Sequence, residues 1–263
     1  MSANPAAQGA VHLVVEGPIA SVTFDRPEAR NALTWTMYAQ LQAICERLRG
    51  DATVRVVRFQ GAGGEAFVAG TDIAQFQTFT SGEDGVDYER RIDAAMALLE
   101  SLPMPCVAMV QGWCVGGGLA IATACDFRLA TPESKFGVPI ARTLGNCLSP
   151  ANVARLVSAF GRPRVQRLLL LAELIGADEG LACGYLSAVV PADAIESETS
   201  RLCSRLAALA PVTQQVSKET LARLAQRDLP DGEDLIRRCY GSEDFREGVQ
   251  AFVGKRPPQW RGR

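Results

Sequence analysis

A single histidine, His12, occurs in the 263 residues. With no second imidazole, a histidine-built zinc site has little to start from. A Ser-His-Asp triad would have to use a residue that falls in the first expected strand, and no G-x-S-x-G segment supplies the nucleophile. Also missing is any apolar run near the ~20 residues that a membrane helix needs. Neither sign of charge dominates: 27 Lys and Arg stand against 29 Asp and Glu, a net charge of −2. No basic excess therefore drives binding to nucleic acid or to a membrane surface. The eight cysteines contain no C-x-x-C pair. Disulfide frameworks belong to short secreted chains, so these are read as buried thiols in a reducing cytoplasm. Met1 to Ala10 has no basic segment followed by an apolar one, and no secretory leader is expected. No metal site and no resident cofactor are expected.

What is present is the balance of a soluble globular chain, 48% hydrophobic and 21% charged. Val11 to Glu16 and Ile19 to Phe24 flank Gly17-Pro18 and read as a hairpin. Leu33, Met37, Leu41, Ile44 and Leu48 recur at helical spacing, which predicts a helix over 34–49. A strand is predicted over 54–60, a helix over 88–102 ended by Pro103 and Pro105, and an apolar strand over 106–110. A glycine-rich turn at 112–118 leads into a small-residue helix over 119–125, and a strand follows at 127–130. Beyond Pro150 the pattern is mostly helical, with pieces at 150–160, 163–171, 177–183, 192–209, 212–227, 232–240 and 242–253. The fold class is α/β, with a core expected over 1–190 and a helical C-terminal region over 191–263.

Three glycine segments invite a functional reading. Gly61-Ala62-Gly63-Gly64-Glu65-Ala66 has the spacing of a dinucleotide loop, but the extended Phe67-Val68-Ala69-Gly70 follows where a helix would have to open. Gly70-Thr71-Asp72-Ile73 and Gly116-Gly117-Gly118-Leu119 each lead into a helix and so offer unpaired backbone N–H groups. Two such ends aimed at one point form an oxyanion hole.

At these residues the chain resembles the crotonase (enoyl-CoA hydratase/isomerase) family. The resemblance is carried by the segments from Phe24 to Leu33, Ala66 to Ile73, Gln111 to Ala120 with Cys125-Asp126 behind it, Lys135 to Pro139, and Glu247 to Pro258. It implies a spiral of ββα units with C-terminal helices that pack homotrimers, often paired as hexamers. It also implies a coenzyme A thioester as substrate, with its oxygen bound by the backbone N–H groups of Thr71 and Gly117, Thr71 serving through its amide rather than its hydroxyl. By the same resemblance Arg26, Ala29, Ala69, Asp72 and Ile73 line the CoA arm, and Lys255 meets a CoA phosphate.

The pattern breaks where protons must move. The two positions at which the family's hydratases carry glutamates are Ala120 and Ile140 here. Neither side chain transfers a proton, and such help is typically worth ~10²–10⁴-fold. The loop that follows offers Arg142, Asn146, Cys147 and Ser149. Asn146 and Ser149 are taken, with Ala120 and Ile140, as substrate-pocket residues, although Ser149-Pro150 also suits a helix cap followed by a first-position proline. Carboxylates from the 81–100 stretch, Glu83, Asp84, Asp87, Glu89, Asp93 or Glu100, could also reach in, and the sequence does not choose among them. Three readings follow: a hydratase/isomerase-type enzyme with a different acid/base group, a decarboxylase or hydrolase of malonyl-type thioesters, and a CoA-binding protein without catalysis.

Overall fold

Short β-branched runs separated by turn residues set up the first sheet. In the computed structural model, which describes residues 9–225 and 229–262, β1 (Ala10–Glu16) and β2 (Ile19–Asp25) pair antiparallel, with Glu16 opposite Ile19. Gly17, at φ +58°, supplies the left-handed backbone such a tight turn uses. β3 (Val56–Gly61), β5 (Cys106–Val110), β7 (Phe127–Ala130) and β10 (Ala188–Val189) extend this sheet in parallel, in the order β1-β2-β3-β5-β7-β10. Every residue of β5 is buried, which is why it reads as an unbroken apolar run.

A second sheet has the order β4-β6-β8-β9, from β4 (Ala66–Ala69), β6 (Trp113–Val115), β8 (Lys135–Gly137) and β9 (Leu174–Gly176). The chain visits both sheets in turn. β3, β4 and α2 (Gly82–Glu100) are followed by β5, β6 and α3 (Gly117–Ala124), then by β7, β8 and α4 (Ile140–Thr143). These successive ββα turns are the expected spiral. β6, β8 and β9, at three residues each, escape sequence reading because three residues are too few to show a period of two.

α1 (Trp35–Arg49) opens on Thr34, whose hydroxyl accepts from Met37 N at 3.3 Å, and buries Met37, Tyr38, Leu41, Cys45 and Leu48. α2 begins six residues before the Tyr88 start expected from the sequence. Gly82 and Gly85, poor helix formers, hide its first turns. Both sit where a neighbour comes close: a Cβ on Gly85 would lie 2.1 Å from the Tyr240 ring, and one on Gly82 would lie 2.2 Å from Arg237 O. Asp84 holds the helix start by accepting from Ser81 N at 2.8 Å.

The remaining helices are α5 (Pro150–Phe160), α6 (Arg162–Leu170), α7 (Ala177–Ala182), α8 (Ile195–Ala207), α9 (Pro211–Ala225), α10 (Glu233–Tyr240) and α11 (Glu243–Val253). The expected end of α9 at Arg227 lies outside the described residues, as does most of the Met1–Ala10 segment read for a leader. α8 packs on the large sheet through Cys203 and Leu206 against Val56, Val107 and Leu129. α10 crosses α2, and α11 covers the 3-10 turn at Ile73–Thr78. α9 buries no residue of its own and exposes Val212, Val216, Leu221 and Leu224. Lys218 fastens it to the core, with Nζ 2.8 Å from Asp126 Oδ2 and 3.1 Å from Met104 O. No helix among the described residues is long and apolar enough to cross a membrane.

α3 lies hard against β4: a Cβ on Gly118 would stand 2.0 Å from Val68 O. Replacing Gly118 by alanine is expected to destabilise the fold by about 1–3 kcal/mol. The check is a urea titration of the variant beside the parent; an unchanged midpoint would contradict this packing.

Candidate active site

The ends of two neighbouring strands build the site. β4 and β6 run parallel with Ala69 opposite Val115. The next residues, Gly70 and Gly116, have φ of +93° and +54°, backbone that glycine alone adopts readily. A Cβ on Gly116 would be 3.3 Å from Gly70 Cα. Thr71 and Gly117 therefore leave the sheet side by side. Thr71 makes a parallel bridge with Leu33, but the hydrogen bonds run from Leu33 N to Gly70 O and from Asp72 N to Leu33 O, both 2.8 Å. The Thr71 amide is left out of that exchange. Gly117 is the first residue of α3, where N–H groups have no intrahelical partner. Neither amide donates to any atom of the described residues, and both residues line one cavity of about 950 Å³.

The Thr71 hydroxyl is occupied elsewhere. It lies 2.8 Å from Tyr38 Oη and 2.9 Å from Tyr88 Oη. Burial pushes the Tyr38 phenol up to about 12 and Tyr88 well above its ordinary value, so both stay neutral. This hydroxyl cluster pins Thr71 in the cavity wall.

The residues expected along the CoA arm, Arg26, Ala29, Ala69, Asp72, Ile73 and Lys255, all line the same cavity. Arg26 Nη1 donates to Asp72 Oδ2 at 2.8 Å and to Ala32 O at 3.1 Å. Asp72 in turn accepts from Ala74 N at 3.0 Å and caps the 3-10 turn. The pair thus shapes one wall. Ala120, Ile140 and Asn146 line the cavity as well.

Ser149 does not line it. Its Oγ accepts from Asn152 N at 3.1 Å as the cap of α5 and donates to Asp93 Oδ1 at 2.7 Å, and its amide donates to Glu89 Oε2 at 2.9 Å. Its hydroxyl is spent on structure, as Ser-Pro at a helix start demands.

Glu89 is the residue that sequence reasoning left unselected. It projects from α2 into the cavity wall and is 2% exposed. Oε1 accepts from Tyr240 Oη at 2.8 Å and Oε2 from the Ser149 amide. Asn146 Nδ2 donates to Tyr240 Oη at 3.1 Å. Burial lifts the Glu89 carboxyl to about 7; the bonds from Tyr240 and Ser149 oppose the shift, and Asp93 adds to it. The other acids of this stretch have different tasks. Glu83 pairs with Arg237, Asp84 holds the helix start, Asp87 faces Arg90, and Asp93 and Glu100 grip Arg155. A signal was available: Glu89 falls three residues before Ile92 and seven before Met96, an acid on the apolar stripe of its own helix.

Two backbone amides without an acceptor among the described residues, those of Thr71 and Gly117, belong to residues of one cavity wall. Beside them lie an apolar sleeve of Phe76, Ile92, Leu119, Val138, Leu148 and Leu156, and one buried carboxyl. A family model described as enoyl-CoA hydratase/isomerase matches residues 15–263. The short-chain-enoyl-CoA hydratase of Clostridium acetobutylicum is 30% identical, over 94% of this chain and 95% of its own. The (E)-benzylidenesuccinyl-CoA hydratase of Thauera aromatica is 32% identical, over 96% and 99%. Among solved structures, methylmalonyl-CoA decarboxylase in complex with 2-nitronate-propionyl-CoA is similar at TM-score 0.88 and 26% identity, covering 96% of this chain and 98% of that one.

The raised carboxyl has a consequence for stability. Protonated Glu89 favours the folded state, and that contribution is complete below the ordinary value of 4.5 and lost as pH rises through about 7. Relative to Glu89→Gln, the parent protein should lose on the order of 3 kcal/mol across that window. Urea midpoints of both proteins from acid to neutral pH read this directly; parallel curves would show that Glu89 titrates normally.

Proposed function

The chain belongs to the enoyl-CoA hydratase/isomerase family and is an acyl-CoA-processing enzyme, and we propose that it works by stabilising a thioester enolate between the amides of Thr71 and Gly117. The observation that carries this reading is the pair of undonated amides, set side by side on one cavity by the β4 and β6 ends. A thioester oxygen placed there accepts both. As the α-carbon loses a proton or a carboxylate, negative charge collects on that oxygen and the two hydrogen bonds strengthen, which lowers the barrier more than it tightens ground-state binding. The Arg26–Asp72 wall, Ala29, Ala69, Ile73 and Lys255 hold the CoA arm, and the apolar sleeve takes the acyl chain. Coenzyme A arrives with the substrate and no resident cofactor is called for. The bare apolar residues of α9 support packing against further copies of the chain as a trimer or hexamer. Eight free thiols suit a reducing cytoplasm.

A second reading is decarboxylation of a malonyl-type thioester. Loss of CO₂ makes the enolate without a base, which suits a cavity wall carrying Ala120 and Ile140; the likeness to methylmalonyl-CoA decarboxylase points the same way. Incubation with hexenoyl- and methylmalonyl-CoA, read by mass spectrometry in heavy water, separates the readings. Hydrated or deuterated enoyl product supports the first, and CO₂ release the second. Failure to bind any acyl-CoA would sink both.

The amide can be removed in place. Proline suits the first position of a helix and lacks the N–H, but a Cβ on Gly117 would meet Tyr38 Oη at 2.7 Å. Gly117→Pro is therefore best made with Tyr38→Phe. Against Tyr38→Phe alone, kcat is expected to fall by about 10²–10³ with KM little changed. An equal kcat would remove Gly117 from the chemistry.

A further inference from the structure

We propose that Glu89 is the catalytic proton carrier of this site, a single carboxyl that shifts a proton along the acyl chain of an enoyl thioester and so moves its double bond. The proposal rests on the oxyanion-hole reading above. Ala120 and Ile140 leave the cavity without a proton-moving group at either position. Three acids line the cavity among the described residues: Glu28, Asp72 and Glu89. The side chain of Glu28 is 60% exposed, and Asp72 is committed to Arg26 and to capping a turn. Glu89 alone is buried, and it adjoins Tyr88, whose hydroxyl touches the residue bearing one oxyanion amide.

Its geometry is that of a held, still reactive group. The carboxylate takes hydrogen bonds from Tyr240 of α10, from the amide opening α5 and from the Asn152 side chain. A carboxylate offers about four lone-pair sites, so one is left for a substrate proton. The charged or titratable groups facing it are Asp93 on its own helix, Tyr88, Tyr38 from α1, Tyr240 and Cys239 from α10, and Cys147 on the loop before α5. Asp93 is itself engaged by Ser149 Oγ and Arg155. No cation touches Glu89 directly among the described residues. The Arg155 guanidinium is taken up by Glu100 at 2.8 and 3.0 Å and by Asn152 at 3.0 Å.

The step balances with one residue. The Glu89 carboxylate takes a proton from C2 of a 3-enoyl thioester. The C–H pair enters the π system, and charge rests on the thioester oxygen under the Thr71 and Gly117 amides. The carboxylic acid then gives that proton to C4, the double bond settles between C2 and C3, and Glu89 is again a carboxylate. Nothing is added and nothing leaves. Tyr240 acts as a positioning residue, because its hydroxyl bond favours the ionised form of Glu89.

The experiment follows conversion of trans-3-hexenoyl-CoA to trans-2-hexenoyl-CoA by the parent protein, Glu89→Gln, Glu89→Asp and Tyr240→Phe, with hexanoyl-CoA binding and circular dichroism as controls. Glu89→Gln should lower kcat by about 10²–10⁴ while binding stays within about threefold. Glu89→Asp should recover part of the loss. The parent kcat/KM should rise with pH through a midpoint near 7, and Tyr240→Phe should move that midpoint upward. A Glu89→Gln loss under about tenfold overturns the proposal. Should the glutamine variant not fold, a parent profile without an inflection near neutrality overturns it instead. A parent protein that binds acyl-CoA yet leaves the 3-enoyl substrate unchanged also overturns it, and the oxyanion-hole reading survives. Absence of any acyl-CoA binding is the separate result that removes the parent reading.

Discussion

Everything at the site depends on two parallel strands ending at the same level. Because Ala69 pairs with Val115, the glycines that follow lie against one another, and their φ angles of +93° and +54° are what favour glycine at both. That contact sets where Thr71 and Gly117 begin. In the proposed reaction it needs no side-chain chemistry at either position, since the groups assigned to the thioester oxygen are backbone amides. The spiral topology repeats the exit at each turn: one strand in the large sheet, one in the small sheet, then a helix. The cavity occupies the side on which the small-sheet strands hand over to the 3-10 turn, α3 and α4.

Around this rigid floor the walls come from distant parts of the chain. α2 brings Tyr88 and Glu89, the Arg26 loop brings the ion pair with Asp72, and the loop into α5 brings Asn146. The C-terminal helices close the far side. α10 lies across α2, and α11 covers the turn at Ile73–Thr78. Phe76, Phe79, Tyr88, Tyr240 and Phe245 form one aromatic cluster at this seam, with ring centroids 4.8–6.2 Å apart where they touch. The helices after β10 therefore belong to the architecture of the site as much as to the outside of the molecule.

Much of the floor was legible in the sequence, and much of the wall was not. Glycine at 70, 116 and 117 is a local signal, because the backbone conformation it permits is written in one residue. The hairpin, α1 and β5 follow from turn chemistry and periodicity over several residues. The sequence left two roles open for Ser149, because a serine before proline looks the same whether its hydroxyl faces a ligand or caps a helix; here it caps, and its remaining bond goes to Asp93. Only its place on the apolar stripe of α2 set Glu89 apart from five neighbouring acids, because its burial is created by α5 and α10, 60 and 151 residues away along the chain. The start of α2 was lost for a related reason. Gly82 and Gly85 answer to α10, not to their own helix.

That last contact ties three positions into one inheritable unit. The Tyr240 ring fits only over a glycine at 85, and the same tyrosine supplies the donor that Glu89 needs four residues further along α2. A side chain gained at 85 expels the ring and strips the carboxyl of its partner. A smaller residue at 240 frees position 85 but takes one hydrogen-bond donor from Glu89. Single steps at 85 and at 240 are each penalised, so the helix contact and the partner of the buried acid change together. The acidity of one side chain is thereby locked to the spacing of two helices.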